Sequence, residues 1–143
     1  MNNNVYTFSR YGLVIQTSNN VTFDGNWVSG IHNRGLVVKS AGDTQGCIVA
    51  CGHRQGDKCK DISIVNNIVS SLASSVVDSA GFSVPGHECG NYNTAVFRDN
   101  IAHSINGYGA IIYRDFHVPK FRDCIEASRF IAYKIVMVGI ITN

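Results

Sequence analysis

Apolar positions in this 143-residue chain come in short bursts divided by Gly, Asn and Ser, and the bursts follow two patterns. The first alternates apolar and polar residues in NVTFDGNWV (20–28), DISIVNNIV (61–69) and TAVFRDNIA (94–102). Laid over one another without gaps, these align Val21, Ile62 and Ala95, then Phe23, Ile64 and Phe97, then Asn26, Asn67 and Asn100. Period-two alternation of this length predicts half-buried strands, with the shared asparagine at a bend. The second pattern is a residue, a glycine and a short apolar run: YGLVIQ at Gly12, RGLVVK at Gly35, AGFSVP at Gly81, YGAIIY at Gly109 and VGIITN at Gly139.

The two patterns belong to one repeat. Residues 26–38 overlay 100–112 without a gap, carrying Ile31 onto Ile105 and Gly35 onto Gly109. FIAYKIVMVGIITN (130–143) continues the register, with Ile131 on Ile101, Ile135 on Ile105 and Gly139 on Gly109. One unit therefore reads strand, Asn bend, short strand, Gly bend, strand. Unequal glycine spacings predict loops bulging at bends, the largest over residues 40–58 and a smaller one near LASSVVDS. Leucine-rich repeats are excluded because no L-x-x-L-x-L pattern occurs, and helical repeats because helical spacing is missing. The expected fold is all-β, a right-handed parallel β-helix of about five coils with loop insertions.

Coils in such a solenoid stack about 4.8 Å apart, so equivalent residues form columns. Asn26, Asn67 and Asn100 are expected to form an amide ladder that ends at Phe130, its equivalent in the last copy. Gly12, Gly35, Gly81, Gly109 and Gly139 are read as bend glycines that need positive φ or close backbone approach. Trp27 aligns with Ile68, Ile101 and Ile131, an apolar column that predicts packing in the core or under a loop rather than a sugar-stacking platform.

Composition narrows the function. With 45% hydrophobic and 15% charged residues the chain is an ordered globular protein. Its net charge of +2 comes from 12 basic and 10 acidic residues without a basic stripe, which argues against nucleic acid. The N-terminus MNNNVYTF has no signal-peptide pattern, and the longest apolar stretch contains Lys134 and is too short to span a bilayer as a helix. The five cysteines, Cys47, Cys51, Cys59, Cys89 and Cys124, are disulfide candidates in an oxidising compartment, and the odd count leaves one thiol free or paired elsewhere. Asn20-Val21-Thr22 is an N-glycosylation sequon that suits the same compartment.

Sugar-active β-helices place acids, bases or calcium ligands in columns. Here the column of Asp24 holds Val65 and Arg98, that of Asp99 holds Gly25 and Asn66, that of His32 holds Asn106 and Val136, and that of His103 holds Ser29 and Tyr133. No carboxylate or histidine column emerges. Acid pairs from loops, Asp78 with Glu88 or Asp115 with Asp123, have no supporting pattern. Cys47, Cys51, His53, Cys59, His87 and Cys89 supply enough ligands for zinc, yet their spacings match no standard zinc module. Disulfides that pin the long loop are the preferred reading, with connectivity open. No cofactor or metal is expected.

TSNNVTFDGNWV, GLVVKS, CKDISIVNNIV, AGFSVPGHECG and CIEASRFIAYKI together resemble the parallel β-helix region of fibrocystin and, more closely, fibrocystin-L, a region also found in related hyaluronidases. PGHEC after a glycine-led strand and CIEASRF are its most specific parts, and the likeness runs from about Tyr11 to Ile141. The resemblance implies that residues 1–143 are a segment of a longer ectodomain in a large extracellular or membrane-anchored glycoprotein. The expectation is a non-enzymatic structural or adhesive segment at the cell surface. Its partners would be flanking β-helix coils of the same or a neighbouring chain, with surface polysaccharide or filament assembly as further partners. The alternative is a carbohydrate-active module of the polysaccharide lyase or hyaluronidase type.

Overall fold

The computed structural model describes residues 4–8, 11–15, 19–33, 45–50, 60–74, 79–85, 93–113 and 124–142. Among them there are strands and no helix. Two strands come first, β1 (Asn4–Phe8) and β2 (Tyr11–Ile15). The rest repeat in threes. β3 (Asn19–Asp24), β4 (Trp27–Asn33) and β5 (Gln45–Ala50) precede β6 (Lys60–Val65), β7 (Ile68–Ser74) and β8 (Ser79–Pro85). They are followed by β9 (Asn93–Arg98), β10 (Ile101–Ile105) and β11 (Tyr108–Tyr113), then by β12 (Cys124–Ser128), β13 (Ile131–Ile135) and β14 (Ile140–Thr142).

Each strand pairs in parallel with the strand three places away in the chain. Sheet A therefore has the order β1-β4-β7-β10-β13, sheet B β14-β11-β8-β5-β2 and sheet C β12-β9-β6-β3. The chain visits C, A and B in turn before it returns one strand further along each sheet, which is the parallel β-helix-like architecture. Val21 lies opposite Ile62, Phe23 opposite Ile64, and Ile64 opposite Phe97. In sheet A, Trp27, Ile68, Ile101 and Ile131 form one row.

Strand alternation decides what enters the core. Ile62, Ile64 and Phe97 point in from sheet C, Val28, Val69 and Ala102 from sheet A, and Ile48, Phe82, Val84 and Ala110 from sheet B. Phe82 and Phe97 meet edge to face at 5.2 Å, and Phe130 packs against both. Each large side chain fully withdrawn from water stabilises the stack by roughly 1.5–3 kcal/mol.

Sheet B corrects two expectations. Strand β5 lies inside residues 40–58, so that stretch is not all loop: the coil runs through Gln45–Ala50. Registers place Cys47 between Gly12 and Gly81 in the glycine column, which continues at Gly109 and Gly139. Cys47 thus holds the position that sequence alignment assigns to Gly35, a residue outside those described. The overlay of 26–38 on 100–112 fails after Asn33 because the coil takes its sheet B strand about a dozen residues later.

Of the two constraints expected of the glycine column, positive φ is not the one at work in its described members. Gly12, Gly81 and Gly109 sit within strands, and the described glycines with positive φ are Gly25, Gly30 and Gly107 instead. Close approach is what restricts Gly81: a Cβ there would stand 2.7 Å from the carbonyl oxygen of Gly109 and 2.7 Å from Cγ2 of Val69. Left-handed backbone recurs at Asn20 and Asp61 in sheet C and at two columns led by glycine, Gly25, Asn66, Asp99 and Arg129 before the Asn bend, and Gly30, Ser71, Ser104 and Lys134 within sheet A. Only the first member of each is glycine.

Candidate functional site

Polar side chains gather at the bend between sheets C and A. Asn26, Asn67 and Asn100 are buried there and stacked. The backbone N–H of Asn26 donates to Oδ1 of Asn67 at 2.9 Å, and Nδ2 of Asn26 donates to the same oxygen at 2.8 Å. The pattern repeats one coil on, where N–H and Nδ2 of Asn67 donate to Oδ1 of Asn100 at 3.0 and 3.1 Å. Asn67 Nδ2 also lies 3.0 Å from the Phe23 carbonyl and 2.9 Å from that of Val65, so its two protons serve three acceptors. Asn100 Nδ2 donates to the Ile64 carbonyl at 2.8 Å. Backbone bonds flank the ladder, from Ile68 to Asn26, Ile101 to Asn67 and Ile131 to Asn100.

Outside the ladder the bend is exposed and charged. Asn66 donates to Asp24 at 3.0 Å. Arg129 grips Asp99 through Nε and Nη2, the second bond at 2.6 Å, and Arg98 Nε lies 3.4 Å from the same carboxylate. Hydrogen bonding from Arg129 holds the Asp99 carboxyl below the usual range. Registers place Val65, Arg98 and Ser128 in the column of Asp24, so the stack does not line up two carboxylates there.

The outer face of sheet A is the second gathering of side chains. Trp27 is 44% exposed and Ile131 56% exposed, with Ile68 also exposed, which corrects the expectation of a packed column. The physical reason is parity: Val28, Val69 and Ala102 take the inward positions, so the preceding residue in each coil faces solvent. Trp27 Nε1 donates to Ser70 Oγ one coil on at 3.4 Å. In the neighbouring column His103 and Tyr133 stack at 5.0 Å with an interplanar angle of 8°. Alignment places these two in one column, but their ring stack was not foreseen from the sequence.

Cys47 corrects the disulfide expectation at one position. It is a free thiol, fully buried in the core, where β5 turns it inward against apolar neighbours. Burial pushes that thiol up to about 12. Such a thiol stays protonated at neutral pH, which makes it a poor nucleophile. Its signal was in the sequence: QGCIVA carries a glycine-led apolar run like the other copies, offset by one residue. Cys51, Cys59 and Cys89 lie outside the described residues, as do His53, His87, Asp78, Glu88, Asp115 and Asp123, while Cys124 opens β12. Among the described residues no group of three or more His, Cys, Asp or Glu stands ready for a metal, and no helix is long and apolar enough to cross a membrane.

Comparison with protein-family models, with curated proteins and with solved structures found no match for this chain.

Proposed function

We propose that this chain is a non-enzymatic structural or adhesive segment of a large extracellular or cell-surface glycoprotein resembling fibrocystin-L, built as a right-handed parallel β-helix of about five coils. The observation that carries the reading is how the polar side chains of the bend are used. The amides of Asn26, Asn67 and Asn100 bond coil to coil, Asp24 accepts from Asn66, and Asp99 is held by Arg129. The two carboxylates of the bend, Asp24 and Asp99, are thus engaged in joining one coil to the next. The outer face of sheet A is the adhesive surface in this reading, and flanking β-helix coils are its structural partners.

Incubation of the full-length protein with hyaluronan and with pectic polymers, with and without calcium, tests this. No change in polymer length is expected, and depolymerisation would overturn the proposal. Exposure of Trp27 beside Ser70 favours a second reading, in which the same face holds a surface polysaccharide. Retention of the chain on immobilised polysaccharide, lost in Trp27→Ala, supports that reading, and equal retention of both proteins removes it.

A further inference from the structure

The sequon Asn20-Val21-Thr22 lies in β3, whose residues alternate outward and inward. Asn20 and Thr22 are exposed, whereas Val21 packs against the core. The acceptor amide and the hydroxyl two residues on therefore share the outer surface of sheet C. A group attached there projects away from the core and from the hydrogen bonds that join the coils. The other asparagines of the repeat contrast in both respects. Asn26, Asn67 and Asn100 are buried with their amides in the ladder, and the residues two places on are Val28, Val69 and Ala102.

Asn20 has φ 57°, and Asp61, opposite it in β6, has φ 55°. Left-handed backbone, which Asn and Asp tolerate, is one local reason for an asparagine or aspartate at this position. It does not account for Thr22, whose column otherwise holds Ser63, Val96 and Glu126. Position 20 unites an exposed amide, a suitable hydroxyl and a surface with room for a bulky solubilising group.

We propose that Asn20 is an N-glycosylation site, an inference that rests on the extracellular reading above. Nδ2 of Asn20 forms a bond to C1 of the first N-acetylglucosamine of a polyprenyl-pyrophosphate-linked oligosaccharide. The bond from C1 to the pyrophosphate oxygen breaks, the pyrophosphate leaves with the bonding electrons, and the amide gives up one proton.

The test is to pass the full chain through the secretory pathway of a eukaryotic host and compare its intact mass before and after peptide-N-glycosidase. The expected result is a loss of glycan mass that leaves aspartate at position 20. Asn20→Gln and Thr22→Ala should both be secreted at the bare polypeptide mass, while Thr22→Ser keeps a glycan. A secreted wild-type chain at the bare polypeptide mass overturns the site and leaves the extracellular reading standing. Fractionation of the native source separates the two: native protein found in the cytosol overturns both.

Discussion

Asn67 shows how much one side chain carries in this stack. Its oxygen accepts from two groups of Asn26, its nitrogen serves three acceptors, and the residue is fully buried. Asn67→Ala would remove the buried oxygen that the N–H and Nδ2 of Asn26 share, at roughly 1–3 kcal/mol for each bond lost. Asn67→Ala should therefore lower the urea midpoint markedly, whereas Asn66→Gly, at the exposed neighbour whose φ of 56° glycine adopts freely, should move it little. Cys47 supplies a pH-dependent counterpart. With its thiol raised to about 12 by burial, the folded chain keeps a proton that the unfolded chain releases from about pH 9 upward. The unfolded state then binds fewer protons, so this contribution is fully present below about pH 9 and is lost as pH rises toward 12. Urea midpoints measured at pH 8 and pH 10.5 should fall more steeply for the wild type than for Cys47→Ala. The asparagine column was legible in the sequence because amides leave a residue-type signature at fixed spacing. The role of Cys47 was legible only in part: the glycine-led run QGCIVA marks a strand, but a cysteine looks the same in a core as in a disulfide.

At the scale of elements, glycine marks where two backbones approach. A Cβ on Gly109 would collide with the carbonyl oxygen of Gly139, while one on Gly139 would meet only Cβ of Ala132 at 3.4 Å. Gly109→Ala is therefore expected to cost about 1–3 kcal/mol through backbone displacement, and Gly139→Ala to be near neutral in the same thermal melt. Alternation of apolar residues made β3, β6 and β9 readable, with Phe23, Ile64 and Phe97 in one register. The sheet B strand of the β3-β4 coil was misplaced at Gly35 because a glycine-led apolar run is short and recurs in QGCIVA. The left-handed columns were invisible for a related reason. Asn66, Asp99 and Arg129 take that conformation after Gly25, and Ser71, Ser104 and Lys134 take it after Gly30. Pairing with the neighbouring coil imposes it, whatever the residue's own preference.

For the whole molecule, the decisive feature is how unevenly apolar surface is distributed. Ile131 and Tyr133 of β13, Val136, Met137 and Val138 in the segment that joins it to β14, and Ile140 at the start of β14 are all exposed, with Val136 at 70%. Apolar surface gathered in one patch promotes association. Sedimentation velocity should show concentration-dependent self-association of the wild type, reduced by Val136→Lys with Met137→Lys, and the thermal melt of that double variant should be close to wild type because both residues are exposed. What the sequence by itself determined is the all-β class, the strand-bend-strand unit, the Asn column and the row of Trp27 with Ile68, Ile101 and Ile131. Each follows from periodicity and residue type, which are local properties of the chain. Only the tertiary structure decided that this row faces solvent, that Cys47 completes the glycine column, and that Arg129 closes on Asp99. These depend on which face of a strand meets the core and which coil lies beside it, and neither is specified until the strands have stacked.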